Sequence, residues 1–215
     1  FMILINKYMK IHKIQGDLTT EITSKIKDYC SIDCEMQGLK PDRDKLSIVS
    51  LTGDDENVYI IQPNKDFKSP NLVSILENEK ILKIFHFARM DVHFLDVYLK
   101  TNVNNYYCTK IMSRLARTWT QNHGLKDLTS EICKVKLDKK YGSSTDWSKG
   151  LQSISDNELN YAAKDCFYLK KIKDSLEKIL KRENRFDLFV STMNGLESRI
   201  KLDKAGFKDP DIFEH

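Results

Sequence analysis

The chain predicts an α/β sandwich: a mixed central sheet that opens with an antiparallel meander and carries helices on both faces. Three observations lead there. Apolar, β-branched runs at 29–35 (YCSIDCE), 45–52 (KLSIVSLT) and 57–62 (NVYIIQ) follow one another, with turn-forming GLKPDRD and GDDE between them. Helical periodicity then takes over, with an apolar strand at 81–87 and a shorter one at 106–109 set among the helices. Strands first, then helices with strands between them, is the pattern of a layered α/β domain.

Each element has a local reason. The opening FMILINKYMKIHKIQGD carries lysines throughout and lacks a small-residue cleavage site, so residues 1–16 read as a strand or arm and not a signal peptide. Phe1, ahead of Met2, reads as a remnant outside the native start. Asn71–Glu79 has the period of a helix, and KIFHF ends a buried strand. Asp91–Lys100 is helical in period, with Val92, Leu95, Val97 and Leu99 apolar. A helix is expected over Lys110–Arg117 and another over His123–Val135, followed by the polar loop DKKYGSSTDWSKG. Ser155 with Glu158 three residues on is a capping box, and the helix it starts is expected to run from Asp156 towards Arg182. Residues 186–215 contain two Gly and one Pro and read as short helical pieces, a C-terminal extension for packing or oligomer contact.

Composition fits one domain over 1–215. The hydrophobic share is 40% and the aromatic share 10%, which describes a globular chain. No apolar run approaches the roughly 20 residues of a membrane span, so no membrane partner is expected. With 35 basic and 31 acidic residues the net charge is +4, which permits a nucleic-acid partner but argues against a large footprint on duplex DNA. Five cysteines without a C-x-x-C pair read as reduced, buried thiols of a cytoplasmic protein.

The chemistry sits in acids placed where acids are costly. Asp-x-Glu occurs three times, but Asp54/Glu56 lies in a turn and Asp156/Glu158 at a helix start, where acids are ordinary. Asp33/Glu35 ends an apolar strand, so alternation puts both carboxylates on one face. Tyr-x-x-x-Asp occurs twice. Tyr29/Asp33 lies along a strand, which separates the pair by roughly 13 Å. Tyr161/Asp165 lies on a helix, where i and i+4 are neighbours. Asp91 follows the apolar strand KIFHF. Two like charges on one sheet face repel unless a cation sits between them, so these acids point to a pair of divalent cations and to phosphodiester cleavage.

The order Asp-x-Glu, Asp, Tyr-x-x-x-Asp resembles the DEDDy-type 3′–5′ exonucleases. HGLKDL and STDW resemble ribonuclease D. GDL near the start, KIFHF-x-R-x-D, CTKI, HGLK and the late DIF resemble the short nano-RNase C family over nearly the whole chain, although KKYGSSTDW is a residue longer than that family's loop. The resemblance implies a ribonuclease H-like fold and a metal-dependent 3′–5′ exoribonuclease. Its substrates would be dinucleotides and very short RNA, including pGpG, cut to 5′-mononucleotides. Asp33, Glu35 and Asp165 would hold one Mg²⁺ or Mn²⁺, and Asp33 with Asp91 a second, the latter through water. Tyr161 would orient the attacking water. Met36, Gln37, Leu39, His86 and Arg89 are the expected substrate contacts, with Leu39 as a wedge between the last two bases. His86 reads either as a hydrogen-bonded core histidine or as a phosphate contact, and Arg89 as a phosphate partner or a solvated side chain. Trp119 and Trp147 read more readily as packing than as base-stacking platforms. A homo-oligomer, by resemblance a ring and an octamer, is the expected assembly. Trimming of longer or structured RNA is the rival within the class, and a non-catalytic RNA-binding module the rival outside it.

Overall fold

The computed structural model describes residues 9–137, 141, 145–207 and 212. Six strands form one mixed sheet in the order β1-β4-β3-β2-β5-β6. The expected meander is β2 (Tyr29–Met36), β3 (Leu46–Gly53) and β4 (Val58–Gln62), paired antiparallel in sequence. The arm becomes β1 (Ile11–Gln15), which adds parallel to β4. On the other side, β5 (Leu82–Phe85) lies parallel to β2, and β6 (Tyr106–Cys108) parallel to β5.

Both sheet faces are covered, as an apolar alternation on central strands requires. One face packs Cys30, Ile32, Cys34, Val49, Leu51 and Ile61 against α2 (Pro70–Glu77) and α3 (Ala88–Leu99) in a core completed by Leu72, Ile75 and Phe94. The opposite face packs Ile48, Val58 and Ile60 against Leu159, Ala162, Ala163 and Cys166 of α6 (Asp156–Phe167). Helix α4 (Thr109–Ala116) lies against α7 (Leu169–Arg182), which buries Leu169, Ile172, Leu176 and Leu180. The outer side of α7 is a solvated face of paired charges, including Lys170–Asp174 at 2.5 Å and Lys181–Glu177 at 2.5 Å. All five cysteines are free and buried.

Several boundaries differ from the sequence expectation. A short α1 (Thr20–Lys25) follows β1, capped by the Thr19 side chain on Ile22 N–H. Helix α3 begins at Ala88, so Asp91 lies in its first turn and does not start it. The helix expected over 123–135 is instead α5 (Leu125–Leu128) followed by a wider π-helical turn, Thr129–Cys133. The capping box at Ser155 is present, but the helix it starts breaks at Tyr168. No Gly or Pro marks that break. The two halves pack on different parts of the sheet, α6 over β2–β4 and α7 towards β5, and tertiary packing overrides a locally continuous helix. The C-terminal segment forms one 19-residue helix, α8 (Phe186–Lys204), in place of short pieces. Residues 138–140 and 142–144 of the loop after Leu137, and the DIF segment apart from Ile212, lie outside the described residues. No helix among the described residues is long and apolar enough to cross a membrane.

Candidate active site

Side-chain alternation along β2 sends Asp33 and Glu35 to the face that α6 crosses, and buries Cys34 on the other. Ala162, Ala163 and Cys166 are small, so α6 lies close to the sheet there. That brings Asp165 over the two strand acids. Carboxylate oxygens of Asp33, Glu35 and Asp165 all lie within 4.8 Å of one another. Asp91 stands behind them, 5% exposed, and its Oδ1 accepts the Cys34 backbone N–H at 3.1 Å. Asp33 and Glu35 keep part of their surface open to solvent, as a group that meets an incoming ligand must.

The surroundings disfavour charge on Asp33, Glu35 and Asp91. Burial first, then Asp165, Asp91 and Glu35, push the Asp33 carboxyl well above its usual range. Burial, then Asp165 and Asp91, do the same to Glu35. Burial raises Asp91 to about 7 against the hydrogen bonds it accepts. Every neighbouring charge named here is negative. Oxygen donors crowded in this way fit a hard divalent cation, which would remove the repulsion that now raises their proton affinity.

Tyr161, one helical turn before Asp165, donates its hydroxyl to that carboxylate. Burial, then Asp165 and Glu35, push the phenol above its ordinary range. Its ring stacks on Trp147 at 6.4 Å and 29°. Trp147 is 3% exposed, the packing role that its sequence suggested. The segment just after it is tied to β4 by Gln62, whose amide donates to Lys149 O at 3.0 Å and accepts Leu151 N–H at 2.8 Å. Trp119, by contrast, is 66% exposed, so packing does not describe it.

Leu39 is 76% exposed at the tip of a fixed turn. The Asp44 carboxylate accepts Lys40 N–H at 2.9 Å and two Arg43 donors, and its backbone carbonyl accepts the Tyr98 hydroxyl at 2.9 Å. This fold needs glycine at 38: a Cβ there would sit 2.2 Å from Asp44 Oδ2. Leu39 stands between two cavities. One, about 760 Å³, is lined by Glu35, Met36, Gln37, Trp147 and Tyr161. The other, about 430 Å³, is lined by Phe87, Arg89, Met90 and His93.

Arg89 makes a contact that neither sequence reading anticipated. Its Nε and Nη2 donate to Asp203 at 2.7 and 2.8 Å, a two-point bond that fastens α3 to α8. His86 Nδ1 bonds Thr109 Oγ1 at 2.9 Å, and burial with the nearby Lys110 lowers its pKa to about 4. Phe87 was not anticipated. It holds a left-handed backbone, φ 67°, with its ring exposed at the second cavity and the Lys110 ammonium 4.2 Å from the ring centre. A bulky residue in that region is strained, and strain of this kind gathers at functional sites. The phenylalanine that follows KIFH carries no sequence signal for it.

The profile of a 3′–5′ exonuclease family matches residues 14–181. A ribonuclease D of Haemophilus influenzae is 30% identical over 154 residues, 72% of this chain and 37% of that protein. The chain spans about two fifths of the curated relatives it matches. Among solved structures, Brucella melitensis NrnC with bound Mg²⁺ is 36% identical, with a TM-score of 0.88 over 96% of this chain and all of that one. The same protein bound to pGG is 37% identical, with a TM-score of 0.89 over 97% of this chain and 100% of that one.

Proposed function

The chain belongs to the ribonuclease D-like 3′–5′ exonucleases, and from that premise we propose that it is a divalent-metal-dependent exoribonuclease that cuts dinucleotides and very short RNA, pGpG among them, to 5′-mononucleotides. The observation that carries this is the carboxylate triangle of Asp33, Glu35 and Asp165 opening onto a cleft divided by an exposed leucine. Asp33, Glu35 and Asp165 would hold one Mg²⁺ or Mn²⁺, and Asp33 with Asp91, the latter through water, a second. Such a pair supplies charge stabilisation to the attacking and leaving oxygens of an in-line displacement.

The chain's own residues set the geometry. Tyr161, fixed by Asp165 on one side and Trp147 on the other, orients the attacking water. Leu39 separates the two nucleotides, placing one in each cavity. Met36 and Gln37 line the cavity next to Glu35, and His86 stands at the end of β5 beside the strand that carries Asp33. Arg89 acts through Asp203, holding the wall of the second cavity. The domain is proposed to span 1–215 and to assemble as a homo-oligomeric ring, for which Leu188 and Val190, exposed on α8, supply apolar surface. The short-substrate preference draws support from the NrnC likeness over nearly the full length of both chains.

A second reading, trimming of longer RNA, draws on the ribonuclease D relatives. Rates on 5′-labelled two-mer, seven-mer and tRNA in Mg²⁺ separate the two. The two-mer is expected to be cut fastest. Equal rates on all three would reject the short-substrate preference, and no hydrolysis of any would reject the enzyme reading.

A further inference from the structure

The end of β5 carries an unused hydrogen-bond acceptor. Strand β5 runs parallel to β2 with Ser31 opposite Ile84, and parallel to β6 with Phe85 opposite Cys108. His86 follows the last residue of β5, next to the strand that carries Asp33, and Thr109 follows the last residue of β6. Thr109 is fully buried, and its single hydroxyl proton goes to Phe85 O at 3.0 Å, since a carbonyl only accepts. The contact between Thr109 Oγ1 and His86 Nδ1 at 2.9 Å is therefore made by a proton on the histidine. Burial and the nearby Lys110 disfavour a second proton on the ring, which leaves Nε2 with its lone pair. Among the described residues Nε2 has no protein partner, and it is not one of the buried polar atoms left without one. It therefore reaches solvent.

We propose that His86 Nε2 accepts a hydrogen bond from the ribose 2′-hydroxyl of the bound substrate, making His86 the residue that distinguishes RNA from DNA, with Thr109 as the positioning residue that fixes its tautomer. The proposal rests on the exoribonuclease reading above. It also reverses the expected phosphate contact. A phosphate oxygen presents lone pairs, and two acceptors facing each other repel. The 2′-hydroxyl is a donor that RNA carries and DNA lacks.

The test compares kcat/KM on the dinucleotide pGpG with its 2′-deoxy and 2′-fluoro forms, in Mg²⁺. The wild-type protein is expected to favour the ribose form over both analogues by roughly three- to tenfold, the range that one net hydrogen bond commands. His86→Phe should bring the ratio towards one. Thr109→Val should lower the ratio, because the tautomer is no longer held, and Thr109→Ser should restore it. The ratio is read within each variant, so a general loss of folded protein does not mimic the effect. A wild-type ratio of one, a ratio that survives His86→Phe, or a 2′-fluoro substrate cut as fast as the ribose form would each overturn the proposal. Hydrolysis of none of the three by wild type would defeat the exoribonuclease reading itself.

Discussion

Replacing Asp33 with Asn should stabilise the metal-free protein while abolishing hydrolysis. The side chains are nearly equal in volume, so packing changes little. Charge changes much more. Asp33 faces both Glu35 and Asp165 with oxygens within 4.8 Å. Two unit charges at that separation repel by about 3 kcal/mol at an effective dielectric constant of about 20. Partial proton uptake already relieves most of this, as the upward shifts of Asp33 and Glu35 indicate. A net gain of about 1–2 kcal/mol remains, or about 3–6 °C in Tm for a chain of this size. Thermal melts in EDTA and in Mg²⁺ read both sides. Wild type should gain stability with Mg²⁺ by mass action, and the Asn variant far less. Turnover of a dinucleotide should fall about a thousandfold or more, as it does when one member of a cooperating catalytic set is lost. An Asn variant that melts lower than wild type in EDTA, yet keeps the full Mg²⁺ gain, would refute the electrostatic reasoning.

Other expectations follow from particular side chains. Leu39→Ala should raise KM for a dinucleotide several-fold with little change in Tm, because the side chain is exposed and packs on no core; steady-state kinetics beside a melt would show it. Lys83 is fully buried, donating to Asn78 O and Ile81 O at 2.7 and 2.8 Å, and burial lowers its pKa to about 8. The folded state then binds fewer protons than the unfolded one between about pH 8 and the ordinary lysine value. The cost is complete below pH 8 and fades as pH rises, so wild type should gain about 2–4 kcal/mol relative to Lys83→Met between pH 7 and 10.5; a flat difference in urea unfolding across that range would contradict it. Asp203 is raised by burial but lowered further by hydrogen bonds from Arg89 and Arg199, with a net shift downward. Its stabilising contribution is present above the unfolded carboxylate pKa and lost as pH falls through the lower folded one. Asp203→Asn should therefore lower stability at pH 7 by about 2 kcal/mol, with the deficit shrinking in acid, measurable by denaturant titration at both pH values.

Much of the site was legible because its spacing is local. Asp33 and Glu35 share a face since strand side chains alternate, and Tyr161 meets Asp165 since four residues make one helical turn. The three-strand meander, the capping box at Ser155 and the free cysteines are likewise written in short segments. Where the sequence misled, a distant partner decided the outcome. Arg89 is tied to a carboxylate 114 residues away, and no local pattern announces Asp203. The helix from Asp156 breaks at Tyr168 because its halves serve different parts of the sheet. Leu39 stands exposed because Asp44 folds its turn outward under a glycine with no Cβ.

The sequence by itself determined which residue types stand at which period: acids on an apolar strand, a phenol one turn from a carboxylate, strands before helices. Only the tertiary structure decided that three acids from β2 and α6 approach within 4.8 Å, and that His86 Nδ1 meets Thr109 Oγ1. The physical reason is range. Alternation and helical pitch act over a few residues, whereas the closeness of two charges and the direction of a hydrogen bond depend on what the folded chain brings beside them.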